Sequence, residues 1–231
     1  MPEQTLMDKT QKNIVGIGMV FSIIILVAAL LFMPFLKNII DDKIVNFWLG
    51  RISIWVCLGL ISLYVSQVEK SNFLVWNEQK LSAIEYVILF FKIIFFIIIG
   101  AIIIASILKT CGFIEQKNLK LLEIVSVLKD NFALLTFTCI TAGVTEELIF
   151  RGYLMPRLAY FFNNKYTPIL FSSVLFGLMH VGFGTIFQVV GPIMIGFVFA
   201  VYYQKYRNIK ILIFCHFFWD FMSLIVASYV K

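Results

Sequence analysis

The sequence predicts an all-α protein, a polytopic transmembrane bundle of about seven spans, plus or minus one, and three observations carry that prediction. Hydrophobic residues make up 61% of the 231-residue chain and charged residues only 14%, which takes it out of the soluble class. Apolar runs of about 20 residues recur, each long enough to cross a hydrocarbon core of roughly 30 Å as a helix. The alternating pattern of a transmembrane barrel, in segments of about ten residues, is missing.

Ile14 to Leu36 reads as the first span, with Pro34 near its end. Met1 to Lys12 ahead of it carries as many acids as bases, and no small-residue cleavage site follows the run, so it reads as a retained helix and not a cleaved signal peptide. A polar loop with Asp41, Asp42 and Lys43 leads to the second span, Phe47 to Val68. Ile84 to Leu108 is the third and most apolar, and Lys92 within it reads as a snorkelling side chain. Between Thr110 and Asp130, Leu119, Leu122, Val125 and Leu128 recur at helical spacing against Lys120, Glu123 and Lys129, the pattern of an interfacial helix near 115–129. Asn131 to Phe150 forms the fourth span, with a continuation through Arg157 to Tyr160 despite Pro156. Thr167 to Val181, Phe187 to Tyr203 and Ile209 to Tyr229 complete the set. The chain 1–231 reads as one integral membrane domain, with N-terminal helices and the interfacial segment in 1–130 and a polar core in 131–231.

The net charge of +6 sits mostly in short loops between apolar runs, which points to anionic lipid headgroups as the partner and not to nucleic acid. Nine basic residues, Arg157 among them, fall on the N-terminal side against seven on the other, which favours a cytoplasmic N-terminus. Abundant Ile, Lys, Asn and Phe fit an AT-rich, bacterial genome, hence a bacterial inner membrane. The four cysteines, Cys57, Cys111, Cys139 and Cys215, are scattered without a Cys-x-x-Cys pair and read as filler.

Each ionisable side chain at mid-membrane costs on the order of 3 kcal/mol, so several in one chain need a partner or a purpose. Three clusters stand out: Glu146, Glu147 and Arg151 in the fourth span, His180 in the fifth, and His216 with Asp220 in the seventh. The chain's two histidines both lie within apolar runs. Glu147 and Arg151 share a helix face at a spacing of four in the order that favours an ion pair, which assigns them to structure. Glu146 is rotated by roughly 100° on an α-helix, free to face another neighbour and do chemistry. Phe176 with His180, and His216 with Asp220, also share faces at a spacing of four.

Adjacent fourth, fifth and seventh helices would bring Glu146, His180, His216 and Asp220 to one cavity. A carboxylate paired with an imidazole polarises water, and a second imidazole can donate to an oxyanion, so hydrolysis without a protein nucleophile is one reading. The same groups suit zinc or another divalent metal, yet the compact His-Glu-x-x-His and Glu-x-x-His spacings are absent. No metal or other cofactor is therefore expected; were one bound, Glu146, Glu147, His180, His216 and Asp220 are its candidate ligands. A proton or ion pathway would use such residues too, but no paired broken helices support a transporter.

"EELIFR" at Glu146 to Arg151, "FGLMH" at Phe176 to His180 and "HFFWD" at His216 to Asp220 resemble, in order, the three motifs of the CPBP (Abi) family of CAAX-type intramembrane proteases and bacteriocin-processing or immunity proteins. The resemblance spans Thr145 to Asp220 and makes 131–231 the expected catalytic core, with the EExxxR, FxxxH and HxxxD motifs. It implies a glutamate-dependent endopeptidase in which Glu146 activates water with His180, His216 and Asp220 line the oxyanion side, and Glu147, Arg151 and Phe176 support the site. Eukaryotic members carry Asn where Asp220 stands, and an ionised Asp cannot donate to an oxyanion. A bacterial setting implies a leader or precursor peptide at the membrane as substrate in place of a prenylated protein. Two alternatives stay open: a non-proteolytic immunity or membrane-protein-binding role, and a metal-dependent membrane hydrolase. The oligomeric state is not encoded legibly.

Overall fold

A computed structural model describes residues 9–113 and 119–229. The described residues form helices joined by irregular segments and contain no strand, and seven of the helices are long and apolar enough to cross a membrane. They run α1 (Lys9–Ile39), α2 (Lys43–Tyr64, extended by a π turn over Val65–Glu69), α3 (Ala83–Thr110), α4 (Leu119–Leu128), α5 (Phe132–Phe162), α6 (Tyr166–Leu178), α7 (Phe187–Tyr206) and α8 (Ile209–Tyr229). The helix expected near 115–129 is present as α4, about 15 Å long and too short to cross, with Val125 and Leu128 buried. Its anticipated start at 115–118 lies outside the described residues.

Helix ends follow their local chemistry. Asp42 accepts from the Ile44 and Val45 amides at 2.8 and 3.0 Å to start α2. Ser82 and Glu85 form a capping box at α3, and Asn131 accepts from the Leu134 amide at 3.0 Å to start α5. Inside a bilayer these caps matter at the edges only, because every interior backbone group is satisfied within its own helix.

Helix α5 is the centre of the bundle. In its most apolar window 56% of the residues are buried, against 17% in α3, whose Phe91, Phe95 and Ile102 face outward toward lipid. Helices α1, α2, α4, α6, α7 and α8 all pack on α5. Continuity through Pro156 has a local reason. Proline lacks an amide and clashes with the carbonyl four residues back, and the π-helical turns of Leu148–Leu154 immediately before it relax that contact.

One end of the bundle is closed by an irregular strap, residues 70–82. The buried Glu69 carboxylate takes Arg157 Nε and Nη2 at 2.9 and 2.6 Å and the Tyr153 hydroxyl at 3.0 Å. Arg157 also donates to the Phe73 carbonyl at 3.1 Å, so the guanidinium pins the start of the strap to α5. Farther along, Glu78 accepts from the Tyr203 hydroxyl at 3.1 Å and the Ile209 amide at 2.6 Å, and Asn208 donates to the Gln79 carbonyl at 2.8 Å. Arg157 is thus no headgroup-facing loop residue; it is 1% exposed. Removing one partner of a buried ion pair strands the other, at about 3–5 kcal/mol. Arg157→Ala should lower stability by about that amount in chemical unfolding in detergent micelles, with native-like stability the refuting result.

Candidate active site

The first motif lies on a stretch of α5 wound more widely than an α-helix, π-helical over Ala142–Glu146 and again over Leu148–Leu154. Turns that bond i to i+5 hold more than 3.6 residues, so the angle between neighbours falls below 100°. Glu146 and Glu147 therefore turn toward the same partner, and that partner is His216 of α8. The expectation that Glu146 would face a different neighbour from Glu147 gives way for this reason.

Glu147 is fully buried, and a single oxygen, Oε1, accepts from Arg151 Nη1 at 2.9 Å and from His216 Nδ1 at 2.8 Å. A carboxylate can only accept, so Nδ1 of His216 carries a proton and Nε2 faces the rest of the site. Nε2 stands 3.5 Å from Asp220 Oδ2 and 3.9 Å from Glu146 Oε2. The Glu147–Arg151 pair read from the spacing is present, with the imidazole as an added third member.

Glycine at 143 allows α5 and α8 this approach: a β-carbon there would lie 3.0 Å from the Ile213 carbonyl oxygen and 3.1 Å from the Phe217 amide nitrogen. Gly196 of α7 does the same beneath the site, where a β-carbon would meet Arg151 Nη2 at 3.0 Å. The Arg151 guanidinium is fully buried and lies over the Phe176 ring at 4.4 Å and the Phe199 ring at 5.6 Å.

Phe176 is the hub between the two histidines, its ring 5.1 Å from that of His180 and 5.9 Å from that of His216. His180 Nδ1 lies 2.9 Å from the Phe176 carbonyl oxygen, which fixes the donor at Nδ1 and leaves Nε2 as the acceptor nitrogen. Among the described residues no carboxylate lies within ion-pair distance of His180, so the imidazole next to Glu146 is that of His216. Nor do any three His, Cys, Asp or Glu side chains among them gather closely enough to hold a metal ion.

Exposure rises across the site: the side chain of Glu147 is 0% exposed, that of His216 5%, Glu146 19% and Asp220 31%. Glu146 Oε2 is buried without a hydrogen-bond partner, as are Glu147 Oε2, Arg151 Nε and Nη2, and Nε of Arg51 on α2. Arg51 interacts electrostatically with Glu146 and Asp220. It carries a charge inside the second apolar span, the signal that singled out Glu146, but no polar partner three or four residues away marks it. On the seam of α5 and α8, Ile140, Val144, Lys210, Ile213, Phe214 and Phe217 line an apolar groove of about 260 Å³.

Residues 129–222 match the family model described as Rce1-like, type II CAAX prenyl endopeptidase Rce1-like. The match covers all three motifs and bears out the resemblance read from them. No curated protein and no solved structure matches the chain at a significant level. Seven helices are long and apolar enough to cross a membrane, and residues 129–222 within them are similar to a family of membrane endopeptidases. Overpacking at a tight helix contact costs about 1–3 kcal/mol. Gly143→Val should therefore lower stability in micelles by about that much, and unaltered stability would contradict the close α5–α8 contact.

Proposed function

We propose that the protein is an intramembrane endopeptidase that hydrolyses a peptide bond of a membrane-associated leader or precursor peptide with water activated by Glu146. The supporting observation is the partnerless Glu146 Oε2 set 3.9 Å from His216 Nε2, a gap that one water can bridge with a hydrogen bond of about 2.8 Å to each atom. Glu146 takes the proton as the water oxygen attacks the scissile carbonyl carbon. In its doubly protonated form His216 donates Nε2–H to the oxyanion, its orientation held by Glu147 at Nδ1. Collapse of the tetrahedral intermediate breaks the C–N bond, and Glu146 returns the proton to the departing amine.

Asp220, at 3.5 Å from Nε2, steadies the imidazolium and accepts; as a carboxylate it does not donate. His180 is the second imidazole, its Nε2 left as an acceptor on the α6 side of Phe176. In this reading no metal or other cofactor takes part, the groove on the α5–α8 seam takes an apolar stretch of the substrate, and the host is a bacterial inner membrane with the N-terminus in the cytoplasm.

Glu146→Gln keeps the shape of the side chain and loses the base, so turnover of a substrate peptide in proteoliposomes should fall by at least about 100-fold. Peptide profiles by mass spectrometry of cells carrying wild-type and Glu146→Gln protein supply the substrate, as the precursor that accumulates in the variant. Identical profiles, with an intact protective phenotype, would favour the non-catalytic immunity role. Chelator-treated protein should retain its turnover; loss of turnover that returns with stoichiometric zinc would replace this mechanism with a metal-dependent one.

A further inference from the structure

Arg51 lies outside the matched segment 129–222, on a face of α2 that docks on α5 and α8. Phe47, Trp48, Arg51 and Trp55 share one face of α2 at spacings of three and four. Phe47 and Trp48 pack on the cluster of Leu128, Leu134, Leu135 and Cys139 that also takes Phe217 and Phe221 of α8. One turn beyond Arg51, Trp55 Nε1 donates to Thr141 Oγ1 at 3.1 Å, at the residue where the π-helical stretch of α5 begins. Arg51 is held between these anchors, on the side of α2 turned to α5 and α8.

Its guanidinium lies 5.3 Å from the Phe47 ring, its buried Nε has no partner, and it interacts with Glu146 and Asp220 while standing within ion-pair distance of neither. Three carboxylates, Glu146, Glu147 and Asp220, surround the place where an oxyanion must form, and Arg151 is already engaged by Glu147 and by aromatic rings. Once Glu146 has taken the water proton, two carboxylates and the oxyanion stand against Arg151 and the His216 imidazolium, and a third cation balances the site.

On the reading that the protein is a Glu146-dependent peptidase, we propose that Arg51 is a further site residue that adds, beside the His216 imidazolium and where Asp220 cannot, positive charge against which the oxyanion forms. Asp220 and Arg51 then act as a pair, with the guanidinium balancing the carboxylate that stands beside His216. Such a charge serves the transition state more than the bound substrate, so its loss lowers kcat and leaves KM nearly unchanged.

The test uses full-length protein in proteoliposomes with the accumulating precursor peptide as substrate, and the variants Arg51→Met, Arg51→Lys, and Arg51→Met combined with Asp220→Asn. Arg51→Met should lower kcat by about 100-fold with KM within about threefold, as for removal of one oxyanion donor, while Arg51→Lys keeps kcat within about tenfold of wild type. Asp220→Asn should recover part of both kcat and Tm in the Arg51→Met background, since it removes the unbalanced carboxylate and supplies a donor. Full kcat in Arg51→Met, or equal loss in Arg51→Lys, or no recovery of Tm in the double variant, overturns the proposal while Glu146-dependent turnover of the wild type stands. Wild-type turnover that survives Glu146→Gln overturns the peptidase reading, and this proposal with it.

Discussion

One oxygen atom, Oε1 of Glu147, organises the centre of this protein. It receives a guanidinium from its own helix and an imidazole from α8, at 2.9 and 2.8 Å and out of contact with solvent. A buried carboxylate of this kind is tolerable only while both donors stay in place. It therefore fixes the distance between α5 and α8, selects the protonated nitrogen of His216, and through Arg151 sets the rings of Phe176 and Phe199 beneath the site. Glu146, the base of the proposed mechanism, is its neighbour in sequence and takes its position from the same turn of helix.

That turn is unusual in a way that serves the site. Wide winding over Ala142–Glu146 and Leu148–Leu154 aims two consecutive carboxylates at one imidazole, a thing an α-helix does poorly. It also makes room for Pro156 and so lets α5 continue to Arg157, whose guanidinium anchors the strap. Two functions separated by about ten residues, the charged centre and the sealed end, thus depend on one departure from regular geometry.

Much of this was legible in the sequence. Seven apolar runs gave the spans to within a few residues at most ends, because length and hydropathy alone decide whether a helix crosses a bilayer. The Glu147–Arg151 pair was legible from its spacing of four, and the three motifs marked the segment that the family model matches. What escaped was everything that depends on phase or on distant contact. Winding of α5 is not written in a 3.6-residue pattern, so the shared aim of Glu146 and Glu147 at His216 was not readable. Arg157 looked like a loop charge because its partner, Glu69, lies 88 residues away in sequence. Arg51 had no neighbour in its own helix to signal a pair, and only the docking of α2 on the seam of α5 and α8 reveals its company.

The strap gives the molecule a floor. It binds the first residues of α8, where Ile209 and Asn208 are held by Glu78 and Gln79, while His216 and Asp220 sit about 10 and 16 Å farther along a helix of about 30 Å. The two side chains differ in exposure, 5% at His216 against 31% at Asp220. The strap thus fixes the start of the helix that carries His216, and Glu147 fixes the imidazole itself, so the ring is positioned by two anchors on opposite sides of it.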